Sequence, residues 1–98
     1  MRIEVDLKML ESFCKKWSIT EFAVFGSVLR DDFRTDSDID VLITFQENAE
    51  ISLFDIVKIK HELESFFGRE VDVVEKKAIK NPYRRKNIFS SMEVLYAA

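Results

Sequence analysis

The sequence is poor in the residues that most often signal a cofactor or a covalent cross-link. Its 98 residues include one cysteine, one histidine, one proline and two glycines. The single cysteine, Cys14, cannot form an internal disulfide, and the single histidine, His61, has no evident metal-ligand partner. No apolar run approaches the roughly 20 residues of a membrane-spanning helix, and no secretory leader opens the sequence. We therefore expect a reducing, cytoplasmic setting and no membrane contact.

The composition is that of one small folded domain. Hydrophobic residues make up 47% and charged residues 34% of the chain, a balance that is typical of globular proteins. We expect residues 1–98 to form one domain, which is too short to hold a second lobe for gripping a substrate. The site must then be shallow or be completed by a partner. The net charge of -3 argues against a general nucleic-acid coat, so direct nucleic-acid binding is not expected.

Apolar periodicity predicts two amphipathic helices. Asp6 is placed to cap the first, and Ser52 with Asp55 forms a capping-box pattern that opens the second, which ends at Gly68. Cys14 is expected in the core and His61 on the solvated helix surface. The apolar face predicted for the first helix consists of Leu7, Leu10, Phe13, Cys14 and Trp17. The buried side predicted for the second consists of Leu53, Ile56, Val57, Leu63, Phe66 and Phe67.

Strands are predicted in four short segments rich in β-branched and aromatic residues, and Pro82 is suited to the first turn of a short helix running towards Ser91. The four segments are Glu21–Phe25, Ile39–Phe45, residues 69–74 and residues 92–96. Together these elements predict an α+β or α/β fold, a small mixed sheet with helices packed on one face and an acidic site on the other.

Two features of the stretch from Val24 to Ile43 point to chemistry. Gly26 and Ser27 end a strand in a turn that can bring backbone N–H groups and a hydroxyl close to a phosphate. Asp38 and Asp40 flank Ile39 at the entry to an apolar strand, where alternate side chains point to the same side. Two carboxylates so placed repel each other unless a cation lies between them, and hard oxygen ligands favour Mg²⁺ or Mn²⁺. An isolated Asp-x-Asp is more often a turn cap with a salt bridge.

A third carboxylate in a strand changes that balance. Asp72 lies among valines, and if its strand pairs with Ile39–Phe45, it can join Asp38 and Asp40 in a site able to hold two metals about 4 Å apart. Glu70 has the same strand parity as Asp72 and is the competing candidate. Asp72 is preferred because it lies centrally in its strand.

A basic stretch follows the third strand. It could hold nucleotide phosphates or an acidic partner, and it could equally be a solvated face. Its members are Lys76, Lys77, Lys80, Arg84, Arg85 and Lys86.

These motifs together resemble a known family. Gly26-Ser27, ten residues, Asp38-Ile39-Asp40 and later Asp72 resemble the signature of the polymerase-β-like nucleotidyltransferases. The short chain, with its Ser-Asp-Ile-Asp-Val-Leu-Ile core, is similar to the minimal nucleotidyltransferases, which commonly serve as the antitoxin of a HEPN-domain ribonuclease toxin. Leu29 is bulky and Asp31 is acidic, whereas relatives often carry small residues at these two positions. Both differences concern the fit of the phosphate-binding loop and leave the three carboxylates unchanged.

The resemblance implies a role for each matching residue. Asp38, Asp40 and Asp72 would bind two Mg²⁺ ions, and Asp72 would also act as a base or orient the attacking hydroxyl. Gly26 and Ser27 would hold the triphosphate of ATP. Arg30 would help to neutralise it, or would instead pair with Asp31 or Asp32. The implied reaction is transfer of AMP from ATP to a hydroxyl, with a tyrosine of the toxin as the implied acceptor. The two proteins would form a hetero-oligomer.

Two other functions remain open at this stage. The chain could be a non-catalytic module that neutralises a toxin by covering it, with the acidic site kept for stability or nucleotide binding. It could also be a subunit that modifies a small-molecule alcohol, which would require a separate substrate domain. The complete set of three carboxylates favours the enzyme over the binding module.

Overall fold

A computed structural model describes residues 5–29 and 38–98, except for the side chain of Ser27. Its helices and strands follow the order predicted from the sequence. They are α1 (Leu7–Lys16), β1 (Ile19–Phe25), β2 (Ile39–Phe45), α2 (Leu53–Phe67), β3 (Val71–Glu75), α3 (Pro82–Ser91) and β4 (Glu93–Ala97). Short 3-10 turns cover Gly26–Leu29 and Lys76–Ala78.

The four strands form one mixed sheet in the order β3-β2-β1-β4. β1 pairs antiparallel with both β2 and β4, whereas β2 and β3 are parallel. A parallel pair needs a long crossover connection, and α2 is that connection. The sheet therefore brings together two strands that are separated by a helix in the sequence.

α1 and α2 cover one face of the sheet and form the main core with it. Alternate residues of β1 and β2, such as Phe22 and Val41, point into this core, as does Leu63 of α2. Burial of these side chains removes apolar surface from water, at about 25 cal/mol per Å². The fully buried members of this core include Leu10, Cys14, Phe22, Val24, Ile39, Val41, Ile43, Ile59 and Leu63.

The other face of the sheet carries a smaller apolar cluster beneath α3. Ala23 and Leu42 of the sheet are buried there with Ile79 and Ile88. Because side chains alternate along a strand, Asp40 lies on the same face as Leu42. Asp40 thus lies on the face opposite α1 and α2, as predicted. The prediction that the helices all pack on one face is wrong for α3, because Ile88 of α3 covers Ala23 and Leu42 on the face of Asp40.

The predicted helix caps are confirmed. The Asp6 carboxylate accepts hydrogen bonds from the backbone N–H groups of Lys8 (3.1 Å) and Met9 (3.2 Å). Ser52 and Asp55 form a reciprocal capping box, and Gly68 ends α2 with a φ of 69°. Asn81 caps α3, with Pro82 as its first residue.

Part of the predicted helix burial is wrong. Leu7, Leu53 and Val57 are 60%, 84% and 51% exposed. Ile59, which was not in the predicted set, is fully buried in α2. Apolar spacing identifies a helix, but the point at which that helix crosses the sheet decides which apolar residues are covered.

Cys14 is confirmed as a core residue. Its side chain is fully buried, and burial raises the pKa of its thiol to about 12. Such a thiol is a structural residue because the nucleophilic thiolate is not populated near neutral pH. Across the described ranges, no helix has the length and apolar character needed to cross a membrane.

Candidate active site

Asp40 and Asp72 are neighbours in the sheet. They are Cα partners in the parallel pairing of β2 with β3. Adjacent strands lie about 4.8 Å apart, and residues in direct register point to the same face. The pairing on which the prediction for Asp72 depended is therefore present. Asp40 is half-buried, whereas Asp72 is exposed to solvent.

Asp38 stands at the mouth of the same strand pair. It is exposed and comes one residue before β2 begins. The next residue, Ile39, donates its backbone N–H to the carbonyl oxygen of Glu70, with an N···O distance of 3.0 Å. This bond fixes the start of β2 against the segment that leads into β3, so the backbone beside Asp38 is held in place.

Gly26 touches the side chain of Asp40. Its φ is +78°, a conformation that favours glycine, and a Cβ built on it would lie 2.3 Å from Oδ2 of Asp40. Phe25, the residue before it, is the Cα partner of Asp40 across β1 and β2. The Gly-Ser turn and the Asp-x-Asp motif therefore meet in space. Phe25 was not among the predicted site residues, although its position directly before the turn was the available signal.

The turn that follows Gly26 is anchored from the core side. Gly26–Leu29 forms a 3-10 turn, and the Val28 side chain within it is fully buried. The backbone of Ser27 lies in this turn. Arg30, the residue predicted to neutralise phosphates, lies outside the described residues, as do Asp31, Asp32 and Asp36.

The competing residues occupy other places. Glu70 is exposed and precedes β3, with its backbone carbonyl in the bond to Ile39. His61 is an exposed residue of α2, which packs on the opposite face of the sheet, as expected for a solvated helix position. Neither side chain lies in register with Asp40.

The donor set matches a hard divalent cation. Over residues 5–29 and 38–98, no three His, Cys, Asp or Glu side chains converge closely enough to enclose a metal ion on their own. Mg²⁺ is commonly bound by one or two carboxylates together with substrate phosphates and water, and not by an all-protein cage. The Asp40–Asp72 pair, with the small Gly26 backbone against one carboxylate, fits such an open site.

A family model described as "Nucleotidyltransferase domain" matches residues 7–95 of the chain. A curated relative from Methanocaldococcus jannaschii, "Putative protein adenylyltransferase MJ1379", is 37% identical over 73 residues, which cover 74% of this chain and 73% of that protein. The span of the family model includes Gly26, Asp38, Asp40 and Asp72. The chemistry of the carboxylates and the sequence relationship thus agree.

Solved structures share the fold. A toxin-antitoxin structure with AMP-PNP matches with a TM-score of 0.76 at 14% identity, covering 96% of this chain and 75% of the matched chain. A complex of a tri-AMPylated Shewanella oneidensis HEPN toxin with an MNT antitoxin matches with a TM-score of 0.67 at 13% identity, covering 94% and 70%. The predicted mixed sheet and fold class are confirmed.

Proposed function

This chain belongs to the nucleotidyltransferase domain family, and we propose that it is an antitoxin that transfers AMP from ATP to a hydroxyl group of a partner protein. The observation that carries the proposal is the contact between the two halves of the motif. Gly26 abuts Asp40, and Asp40 is in register with Asp72. A phosphate held at the turn would therefore lie beside the carboxylates.

Each site residue has a chemical task in this reaction. Asp38, Asp40 and Asp72 would hold Mg²⁺, two ions in the full arrangement, and the Gly26-Ser27 turn would bind the triphosphate. Bound metal would stabilise the entering and departing oxygens as the acceptor oxygen attacks the α-phosphorus and pyrophosphate leaves. Asp72, which is exposed, would orient the acceptor hydroxyl or take its proton. Arg30 would neutralise phosphate charge.

The acceptor is proposed to be a tyrosine of a HEPN-domain ribonuclease toxin that forms a hetero-oligomer with this chain. Two observations support a protein acceptor. The relative of 37% identity carries the name of a protein adenylyltransferase, and one structure of the same fold is a complex with an AMPylated HEPN toxin. A cytoplasmic setting is consistent with a lone cysteine that is buried.

The proposal is tested by incubating the purified chain with labelled ATP, Mg²⁺ and the protein encoded by the neighbouring gene. We expect label on the partner with the wild-type chain, and a loss of about 100-fold or more for Asp40→Asn and Asp72→Asn. Chelation of divalent metal should abolish transfer. Asp6→Asn is the matched control, because asparagine also caps helices and Asp6 lies on α1.

The outcomes separate the enzyme from the binding module. If the wild-type chain transfers no label but still neutralises the partner, and Asp40→Asn does so equally, the chain acts by covering its target and the enzymatic proposal fails. Transfer to a small alcohol, with none to protein, would support the small-molecule transferase instead.

A further inference from the structure

The outward side of α3 differs from the outward sides of the other two helices. Arg85, Ile88 and Phe89 face the sheet, with the adjoining Met92 one turn further on. The remaining α3 side chains point to solvent, and α3 contains no acidic residue. α1 and α2, in contrast, carry charges of both signs. A patch of positive charge alone therefore marks α3 and the segment before it.

The charge of this region opposes that of the remaining chain. Residues 76–86 include six basic and no acidic residues, although the whole chain has a net charge of -3. The other 87 residues therefore sum to -9. Such a separation concentrates positive potential on one side of a small domain and favours an anionic partner there.

Two of the six cations are engaged within the fold. The Lys76 ammonium pairs with Glu21 at 3.0 Å and lies 5.0 Å from the ring centre of Phe89. The Arg85 guanidinium donates to the carbonyl oxygen of Ile79 at 2.9 Å and lies 4.8 Å from the same ring. These two cations hold the segment 76–89 together.

The other four cations are exposed, and within the described part of the chain none of them is in an ion pair. Tyr83, which is 80% exposed, stands among them in the sequence. We call this set the basic surface. It consists of Lys77, Lys80, Tyr83, Arg84 and Lys86.

The basic surface shares a sheet face with the candidate active site. α3 packs over Leu42, which lies two residues along β2 from Asp40, a separation of about 7 Å. α1 and α2 lie behind the sheet. An acceptor protein that approaches the carboxylates from the sheet face opposite α1 and α2 would therefore lie next to α3.

We propose that the basic surface docks a carboxylate-rich segment of the acceptor protein, so that the acceptor hydroxyl is presented to Asp40 and Asp72. This inference rests on the proposed function. Tyrosine and arginine, here Tyr83 and Arg84, are the side chains that most often anchor protein interfaces. A protein segment can place carboxylates on the cations and an uncharged residue at the acidic site. A nucleic acid, with one charge per nucleotide, would also bring phosphates against the negative remainder of the chain.

Charge reversal on the two sides of the molecule tests the inference. The test variant is Lys77→Glu, Lys80→Glu and Lys86→Glu. The control variant is Lys8→Glu, Lys58→Glu and Lys60→Glu, which changes the net charge equally but on α1 and α2. Binding is measured by fluorescence anisotropy at low salt with labelled peptides that carry one tyrosine flanked either by glutamates or by lysines.

We expect the wild-type chain to bind the glutamate peptide and not the lysine peptide. The test variant should bind the glutamate peptide about tenfold more weakly than the control variant, because three exposed ion pairs are lost in one case and none in the other. Thermal unfolding checks that both variants are folded. Equal affinity of the two variants would overturn the inference.

Two further outcomes are diagnostic. In the first, a labelled 12-nucleotide single-stranded RNA binds the wild-type chain more tightly than the glutamate peptide does, and the test variant does not bind this RNA. That result would assign the surface to nucleic acid and overturn the inference. Peptide binding needs no ATP and can therefore be measured separately from label transfer. Charge-dependent peptide binding without label transfer to any protein would contradict the proposed function but still support the docking surface. If the test variant transfers label with an unchanged KM for the acceptor, the docking inference is overturned and the proposed function is unaffected.

Discussion

Gly26 holds a position in the candidate site that no other residue type can take without a shift. Its positive φ already disfavours a side chain, and its α-carbon faces Oδ2 of Asp40. The glycine therefore sets both the path of the turn and the place of a carboxylate. Gly68 also has a positive φ, but a Cβ there would meet nothing within 4 Å.

The two glycines allow stability and activity to be separated. Gly26→Ala and Gly68→Ala should each lower the free energy of unfolding by about 1–2 kcal/mol, because each places a side chain in the left-handed region. Only Gly26→Ala should also displace Asp40 and reduce AMP transfer, by about 100-fold. Chemical denaturation and transfer rates measure the two effects. Equal activity of both alanine variants would show that Gly26 does not position Asp40.

The environment of a residue could be predicted where it follows from the side-chain type and its neighbours in the sequence. A lone cysteine in an apolar helix face is a core residue, and Cys14 is one. Asp40 and Asp72 were predicted to form a site because unpaired charge is costly to bury among valines and isoleucines. The two residues are in register in the sheet, although Asp72 is exposed. The roles of all the site residues stay predictions, namely those of Gly26, Ser27, Arg30, Asp38, Asp40 and Asp72.

At the scale of elements, pairing between strands is what the sequence could not determine. Asp40 and Asp72 belong to strands joined through α2, and nothing in either strand specifies its register with the other. The prediction for Asp72 was conditional for that reason. The prediction of the buried residues of α2 was wrong for a similar reason. The apolar character of Leu53 does not reveal that its helical turn is exposed.

A polar contact joins α1 to α2 above the main core. Glu62 accepts hydrogen bonds from the indole N–H of Trp17, at 2.6 Å, and from the Lys16 ammonium. Burial opposes ionisation of Glu62, but the bonds from Lys16 and Trp17 outweigh it and lower the pKa of the carboxyl below its ordinary 4.5. The ionised form of Glu62 thus stabilises the packing of the two helices.

Glu62→Gln should therefore destabilise the protein in a pH-dependent way. We expect a loss of about 1 kcal/mol near neutral pH, which is a fall in Tm of roughly 4–8 °C for a domain of this size. A lowered folded-state pKa gives stability that is present above the unfolded pKa and lost as the pH falls through the folded one. The gap in Tm should close in acid, below pH 4.5.

Glu11→Gln is the matched control for that measurement. Among the residues that the structure describes, Glu11 pairs only with the exposed Lys15 on the same helix, at 2.8 Å, so its loss should change Tm little. A Tm gap for Glu62→Gln that is the same at neutral and acid pH would mean that packing, and not the charge of Glu62, joins the helices.

At the scale of the whole molecule, the two faces of the sheet have separate tasks. α1 and α2 fill one face with the main core, and the other carries the carboxylates beside α3. Among the described residues, α3 is the only helix on that second face, and Asp40 and Asp72 lie beside it. An acceptor presented by a partner protein, as proposed, would approach the carboxylates from this face.

The position of the label in ATP tests the central claim most directly. The chain is incubated with Mg²⁺ and the protein encoded by its neighbouring gene, in parallel with ATP labelled at the α-phosphate and ATP labelled at the γ-phosphate. Nucleotidyl transfer predicts protein-bound label from the α-labelled ATP alone, with label from the γ-labelled ATP released in pyrophosphate. Protein-bound label from the γ-labelled ATP, or from neither, would contradict the proposed reaction.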